Sequence, residues 1–94
     1  MKRFRLYFDT EINMTHIEKH GVSEQEIAEF FNDIIIWTRE RKDDSYESMG
    51  KLINGRYLTV IYRKFSKYDY FIITAYDIRE NYKKDFIERE LRKL

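Results

Sequence analysis

The sequence predicts an α+β domain in which helices pack on a twisted, mainly antiparallel sheet. Three observations predict this class: residues 3–8 alternate between apolar and polar side chains, two helical segments meet at Gly21, and strand-like runs flank Asn54-Gly55. The predicted order of elements is β-α-α-β-β-β-β-α. Since 94 residues with 43% hydrophobic side chains can bury one modest core, we predict a single domain over residues 1–94.

The first third of the chain is predicted to fold as a strand followed by two helices. The alternation in residues 3–8 is typical of a half-buried strand. A helix is predicted over residues 10–20, from Thr10 to His20, with Gly21 ending it in a left-handed conformation. Ser23 and Glu26 have the spacing of a capping box, which begins a second helix. The predicted apolar stripe of that second helix is Ile27, Phe30, Phe31 and Ile34.

Four strands and a helix are predicted for the remainder of the chain. Residues 34–37 are apolar and mostly β-branched, which favours a central strand, and the charged residues 39–44 are predicted to form a loop. Asn54-Gly55 indicates a two-residue type I′ hairpin, in which both central residues have positive φ. A second hairpin is predicted at Ser66-Lys67. Residues 78–94 are predicted to form an amphipathic helix with apolar positions at Tyr82, Phe86 and Leu91.

The two predicted turns set a strand register that divides the sheet into two faces. In this register Met49 lies opposite Val60, and Arg63 lies opposite Tyr70. The predicted core face carries Leu58, Val60, Tyr62, Phe71, Ile73 and Ala75. The other face carries Tyr46, Tyr57, Thr59, Ile61, Arg63, Tyr70, Ile72, Thr74 and Tyr76. This second face is too aromatic and too basic for an ordinary solvent-facing surface, so it is the candidate binding face.

Composition and charge exclude several classes of function. The chain has no cysteine, which excludes disulfides, thiolate nucleophiles and zinc ribbons. It has no apolar run long enough to span a bilayer, and residues 1–8 lack a signal-peptide hydrophobic region, so we expect a cytoplasmic protein. The net charge of +1 hides a segregation: residues 24–33 hold acids without bases, and residues 51–68 hold bases without acids. A basic surface for a polyanion is therefore predicted.

Four short segments carry a family resemblance through their order and spacing. They are Lys-His-Gly-Val-Ser at residues 19–23, Gly50, Gly55-Arg56 with the apolar strand after it, and Ile-Thr-Ala at residues 73–75. Over Phe4 to Phe86 the chain resembles the BrnT family of bacterial toxins, within the RelE-like superfamily. Ser45 and Tyr76 occupy positions where that family usually has arginine, so the resemblance is to a divergent member.

The resemblance implies a fold, an activity and a set of partners. The fold is a small RelE/BrnT-like domain, and the activity is that of a toxin of a type II toxin–antitoxin system. Such a toxin is a metal-independent endoribonuclease that cuts mRNA without a cofactor. The implied partners are a co-encoded antitoxin that covers the active face, and operator DNA bound only through the toxin–antitoxin complex. No membrane partner is expected.

RNA cleavage without a metal ion requires a particular set of side chains. The ribose 2′-hydroxyl attacks the adjacent phosphorus, a base and an acid transfer protons, and cations stabilise the charge that develops on the phosphate. Arg63 is predicted to hold phosphate oxygens, because a guanidinium binds them bidentately. Lys19, His20 and Tyr76 complete the predicted catalytic set. Tyr70 and Tyr76 are expected to stack on unpaired bases. The predicted RNA-binding residues are Arg56, Tyr70 and Arg79.

The two histidines, His16 and His20, lie four residues apart, a spacing that allows two metal ligands on one helix face. No third ligand cluster accompanies them, and no glutamate follows the first, so we predict no metal site. His20 directly precedes Gly21, where it is also placed to bond a backbone carbonyl at the helix end. This capping role and a role in catalysis stay alternatives.

Each candidate also has a structural explanation, and two other functions stay open. Tyr70 and Tyr76 fit cross-strand packing. Arg63 fits an ion pair with Asp69, and Lys19 fits the C-terminal dipole of its helix. The same face is typical of a module that holds RNA or protein without cutting it, or of a pure interaction domain. The absent family arginines favour the binding module, because phosphate binding survives their loss better than catalysis does.

Overall fold

The computed structural model describes residues 2–32 and 35–92 and confirms the α+β class. Its strands are β1 (Arg3–Leu6), β2 (Phe8–Asp9), β3 (Met14–Thr15), β4 (Ile35–Glu40), β5 (Tyr46–Lys51), β6 (Tyr57–Ser66) and β7 (Asp69–Asp77). Its helices are α1 (His16–Lys19), α2 (Glu24–Phe30) and α3 (Glu80–Arg92). The main sheet is mixed and has five strands in the order β1-β7-β6-β5-β4, with β1 parallel to β7 and the other neighbours antiparallel.

One face of the main sheet, the inner face, packs against the α1–α2 region, and the opposite face is the outer face. The ring of Phe31, which follows α2, lies 4.8 Å from the rings of both Tyr62 and Tyr70 on the sheet. Burial of such apolar and aromatic surface is the main stabilising contribution to a domain of this size. The buried cluster consists of Ile17, Val22, Ile27, Phe30, Phe31, Leu52, Leu58, Val60, Tyr62, Tyr70, Ile72 and Ala75.

The helix predicted over residues 10–20 is wrong in its first half. β2 and β3 form a short hairpin there, and only the four residues of α1 are helical. The Asp9 carboxylate accepts the backbone N–H of Glu11 at 3.0 Å, and Asn13 has a φ of 56°, so both residues favour a turn over a helix. The Thr15 hydroxyl then caps the N-terminus of α1. Local side chain–backbone bonds therefore determine where this helix begins.

The predicted corner between the two helices is confirmed. Gly21 has a φ of 69°, and the Val22 N–H donates to the Ile17 carbonyl at 2.8 Å, as in a glycine-ended helix. The capping box is present, since the Ser23 N–H donates to the Glu26 carboxylate at 3.0 Å and the Glu26 N–H donates to the Ser23 hydroxyl at 3.1 Å. These local bonds fix the direction in which α2 leaves α1.

The strand predicted at residues 34–37 is β4, which lies at the edge of the sheet and not near its centre. β4 continues to Glu40, so the loop predicted over residues 39–44 is shorter than expected. Asp44 turns the chain with a φ of 65°, and the Arg41 N–H donates to the Ser45 carbonyl at 2.8 Å. The charged segment is therefore partly a hairpin strand, which brings Arg39 onto the sheet.

α3 confirms the predicted C-terminal helix. Ile34 lies outside the described residues, as do the side chains of Phe86 and Leu91, so the apolar positions predicted for them stay predictions. Tyr82, the other predicted apolar position, is exposed. Among the helices that the structure describes, none is long and apolar enough to cross a membrane.

The turn between β5 and β6 has three residues, 53–55, and not the two predicted. The Leu52 N–H donates to the Arg56 carbonyl at 2.8 Å, and the Gly55 N–H donates to the Leu52 carbonyl at 2.9 Å. Gly55 has a φ of 90°, whereas Asn54 does not have a positive φ, so a type I′ turn is absent from this hairpin. The Asn54 side chain instead accepts the Arg56 N–H at 2.9 Å.

The extra turn residue shifts the register of β5 against β6 by one. Met49 faces Thr59 and not Val60, and Tyr46 faces Tyr62. The turn between β6 and β7, predicted at Ser66-Lys67, is instead formed by residues 67–68, because Ser66 pairs with Asp69. Arg63 faces Phe71 and not Tyr70, so that predicted pair is wrong. Two further register shifts occur along this pair of strands, at Phe65 of β6 and at Ile73 of β7, as in β-bulges.

Because of the register shifts, some side chains lie on the face of the sheet opposite to the predicted one. The predicted core positions Leu58, Val60, Tyr62 and Ala75 are confirmed. Tyr70 and Ile72, predicted on the opposite face, lie in the core, so that prediction is wrong. Phe71 and Ile73, predicted in the core, are only half-buried and lie outside the core cluster. A bulge adds one residue to one strand, and a one-residue slip turns each following side chain to the other face.

Replacing Gly55 with Ala is expected to lower the free energy of unfolding by about 1–2 kcal/mol, because an L-residue is strained at positive φ. A Cβ atom at this position would meet no atom within 4 Å, so backbone strain is the whole cause. Urea unfolding measures the effect. The matched control is Ile53→Ala in the same loop, whose side chain is 87% exposed, and it is expected to unfold like the parent. Equal stability of the Gly55→Ala variant would contradict the turn geometry.

Candidate active-site cleft

A cleft of about 420 Å³ lies between the outer face of the sheet and α3. Its lining comes from β4, β5, β6, the end of β7 and the start of α3. Its aromatic and charged lining residues are Trp37, Arg39, Glu47, Tyr76, Arg79, Tyr82 and Asp85. The cleft therefore collects aromatic rings and both signs of charge where strands and a helix terminus meet.

Glu47 is an acidic side chain held almost out of solvent in this cleft. It lies on β5 opposite Arg39 of β4, and the residue is 8% exposed. The Arg39 Nε–H donates to Glu47 Oε1 at 2.6 Å, and the guanidinium also lies 5.7 Å from the centre of the Trp37 ring. Because an isolated buried carboxylate is costly, the paired guanidinium stabilises it. The Arg39 side chain is 61% exposed, so it can also reach a ligand.

Tyr76 lines the cleft, and charged side chains in and near the cleft act on its hydroxyl. Burial raises the pKa of its hydroxyl above 10.0, and the negative charge of Glu47 raises it further. The positive charges of Arg79, Arg41 and Arg39 act in the opposite direction and lower that pKa in part. The net pKa stays raised, so the hydroxyl keeps its proton at neutral pH and can donate a hydrogen bond or a proton.

His20 lies beside Tyr76, as the predicted catalytic set requires. The two ring centres are 5.9 Å apart. The position follows from α1, which ends next to β7 and turns away at Gly21. His16, in contrast, bonds the Asp9 carboxylate at 3.0 Å, and this bond lowers the pKa of Asp9. The two histidines therefore have separate surroundings, and the described residues contain no group of three His, Cys, Asp or Glu side chains suited to a metal ion.

Arg56, predicted to bind RNA, is instead used within the fold. Its guanidinium donates to Glu26 at 3.0 and 3.1 Å and to Asp77 at 2.6 and 3.3 Å. It also donates to the backbone carbonyls of Gly21 and His20, at 2.9 and 3.3 Å. Its side chain is only 24% exposed. This arginine ties the corner between α1 and α2 to the end of β7.

Tyr70 and Lys19 also lie outside the cleft. Tyr70 is 6% exposed in the core, where its ring packs against Phe31 and Tyr62. It therefore has no free ring face on which a base can stack, and the cross-strand packing explanation describes its position. Lys19 is exposed at the end of α1 and does not line the cleft.

Arg63 lies on the outer face, as predicted, but away from Tyr76. Tyr76 pairs with Thr59, whereas Arg63 lies four residues further along β6, a distance of roughly 13 Å at the rise of a strand. Asp69 does not pair with Arg63, because its carboxylate accepts from Arg5 at 3.0 Å. Of the seven predicted site residues, Tyr76 and Arg79 line the cleft, and His20 does not line it but contacts the Tyr76 ring.

Sequence reasoning missed Arg39, Arg41 and Glu47. All three come from the β4–β5 hairpin, whereas the run of charged residues over 39–44 predicts a loop. The signal was present at Asp43, because Arg39 and Glu47 each lie four residues from it, so a hairpin centred on Asp43 places them opposite each other. Recognising that hairpin would have predicted the ion pair.

Comparison of the chain with family models, with curated proteins and with solved structures gave no match.

Proposed function

We propose that the chain is a BrnT-like toxin of the RelE superfamily, a metal-independent endoribonuclease of a type II toxin–antitoxin system. The observation that carries the proposal is an open cleft that holds Arg39, Arg79 and Tyr76 together with the nearly buried carboxylate of Glu47. Cations, a base and proton donors are the components that RNA cleavage without a metal requires.

The positions of the arginines also support the resemblance. Ser45 stands where the family usually has arginine, and the Arg41 Nη1–H donates to its hydroxyl at 3.4 Å, so a guanidinium lies beside that position. The second departure is Tyr76, and it has Arg39 and Arg79 in its electrostatic surroundings. Neighbouring positions therefore supply the positive charge that the two family positions lack.

In the proposed reaction, Glu47 takes the proton of the ribose 2′-hydroxyl as its oxygen attacks the adjacent phosphorus. The arginines stabilise the negative charge that develops on the phosphate oxygens. The bond from phosphorus to the 5′-oxygen breaks, and that oxygen takes a proton from Tyr76 or from His20 in its protonated form. The products are a 2′,3′-cyclic phosphate and a 5′-hydroxyl end.

The proposed partner is a co-encoded antitoxin that covers the cleft, and operator DNA is bound only through that complex in the cytoplasm. The rim of the cleft supports this because Trp37, Arg39 and Tyr82 are residue types that dominate the binding energy of protein interfaces. Tyr82 and the Arg39 side chain are more than half exposed, so a partner can bury them.

Induced expression of the wild type is expected to arrest growth and to produce RNA fragments with 5′-hydroxyl ends. Arg79→Ala is expected to reduce the cleavage rate by about 10²–10³-fold, because it removes one cation from the transition state. Growth curves and mapping of RNA 5′ ends measure these effects. Lys84→Ala is the matched control, since Lys84 is an exposed cation on α3 outside the cleft. Intact RNA from folded wild-type protein would contradict the proposal.

A second candidate is a binding module that holds RNA without cutting it, and the pairing of Arg39 with Glu47 favours it. This pairing places a negative charge among the cations and weakens their effect on a phosphate. Such a module would bind RNA with an affinity that falls steeply with salt, yet leave the RNA intact. A pure protein-interaction domain would show neither cleavage nor salt-dependent RNA binding.

A further inference from the structure

The hairpin that joins β6 to β7 carries two aromatic side chains that the core does not use. This β6–β7 tip comprises residues 63–69. Phe65 is 60% exposed and Tyr68 is 51% exposed. A cation lies over each ring: the Arg5 guanidinium is 5.2 Å from the centre of Phe65, and the Lys67 ammonium is 5.5 Å from the centre of Tyr68. Exposed rings paired with cations are typical of surfaces that stack nucleic-acid bases.

The tip is held in place by bonds to its neighbours. The Tyr68 carbonyl accepts the Arg3 N–H at 2.6 Å, and the Tyr68 N–H donates to the Ser66 hydroxyl at 3.3 Å. Arg5, which lies over Phe65, is itself fixed by its ion pair with Asp69 at 3.0 Å. The two rings are therefore presented in a preformed arrangement, which reduces the entropic cost of binding a ligand.

The charge at this end of the sheet favours a polyanion. β1 and the tip contain only one acid, Asp69, and one of its oxygens is already paired with Arg5. The cations of β1 and the tip are Arg3, Arg5, Arg63, Lys64 and Lys67. Such an excess of positive charge around exposed apolar rings attracts a strand that carries both phosphates and aromatic bases.

We propose that the β6–β7 tip is a second binding site for single-stranded RNA, with bases stacked on Phe65 and Tyr68 and phosphates held by the surrounding cations. The proposal rests on the proposed function for the identity of the RNA as substrate. Asp69, at the tip, and Tyr76, in the cleft, are seven residues apart on β7, or roughly 23 Å along a strand. Arg63, on the outer face opposite Phe71, is the residue of the tip that lies nearest to the cleft along the strands. One RNA strand can therefore run from the tip, past Arg63, to the cleft.

The test measures the affinity of labelled RNA whose 2′-hydroxyls are all methylated, so that cleavage does not enter the result. The probes are a single-stranded dodecamer and the duplex of the same sequence, each followed by fluorescence anisotropy. The double variant Phe65→Ala/Tyr68→Ala is expected to bind the single strand about 10- to 100-fold more weakly and the duplex unchanged, because stacking needs unpaired bases. Tyr68→Phe, which keeps the ring, is expected to bind like the wild type.

Ile53→Ala is the matched control, since it removes another exposed apolar side chain from a different hairpin. Equal affinity of the double variant and the wild type for the single strand would overturn the proposal. An equal loss of affinity for the single strand and for the duplex would also overturn it. The proposed function fails separately: if the wild type never cuts RNA but binds it through the tip, the tip proposal stands and the nuclease proposal does not.

Discussion

Glu47→Gln is expected to reduce RNA cleavage by about 10²–10⁴-fold, the usual contribution of a positioned base. Glutamine keeps the size of the side chain but accepts no proton. The variant is also expected to bind uncleavable RNA at least as tightly as the wild type. Removing the carboxylate takes one negative charge from the cleft, so the charge of Arg39, which donates to Glu47 at 2.6 Å, is no longer neutralised and attracts a phosphate more strongly.

The two effects together separate catalysis from folding and from binding. Single-turnover cleavage of a labelled RNA measures the cleavage rate, and fluorescence anisotropy with a 2′-methylated RNA measures the RNA affinity. Glu40→Gln is the control, because Glu40 is an exposed carboxylate at the end of β4 and does not line the cleft. If Glu47→Gln cuts RNA at the wild-type rate, Glu47 is not the base. If it loses cleavage and RNA affinity together, a structural role explains the result better.

Arg56→Ala is expected to lower the free energy of unfolding by about 2–4 kcal/mol, which is large for a domain of this length. The substitution removes hydrogen bonds to two carboxylates and to two backbone carbonyls at the corner between α1 and α2. It also leaves Glu26, whose side chain is 17% exposed, without its cation. Thermal unfolding is expected at a temperature lower by on the order of 10–20 °C.

Acid titration gives a second measurement of the ion pair between Arg56 and Glu26. Burial raises the pKa of Glu26, but the Ser23 N–H and the Arg56 guanidinium lower it more, so the net pKa lies below 4.5. A carboxyl group with a lowered pKa in the folded state stabilises the fold above pH 4.5, and this contribution is lost as the pH falls through the folded pKa. The unfolding free energy of Arg56→Ala is therefore expected to depend less on pH in this range than that of the wild type.

Arg5→Ala is the control for this stability prediction. Arg5 makes one ion pair, with Asp69, and its side chain is 50% exposed, so its loss is expected to cost less than about 1 kcal/mol. Equal destabilisation by Arg5→Ala and Arg56→Ala would show that Arg56 acts as an ordinary surface charge. Arg56 would then be available to a ligand, as the sequence first predicted.

Local sequence determined the elements whose bonds are local. Gly21 and the Ser23–Glu26 capping box define the corner between α1 and α2, and both were correctly predicted because each bond spans only a few residues. The alternation of Phe4 and Leu6 with polar residues likewise predicted β1, and the apolar core positions of β6 followed from the same period. The resemblance to a toxin family also rests on the sequence alone.

Only the tertiary structure decided which aromatic side chains face the cleft. A bulge at Ile73 of β7 placed Tyr70 and Ile72 in the core while Tyr76 stayed on the outer face. A side chain alternates with every residue of a strand, so one extra residue exchanges the two faces, and no local pattern in this strand marked the bulge.

The composition of the candidate site was decided in the same way. Arg39 and Glu47 meet across two strands, whereas Arg56, which the sequence placed in the site, is bound by Glu26 and Asp77 from distant parts of the chain. Whether an arginine is free for a ligand or used within the fold depends on which carboxylates folding brings within hydrogen-bond distance. That is set by long-range packing, so the sequence determined the types of side chain available and the tertiary structure determined which of them form the cleft.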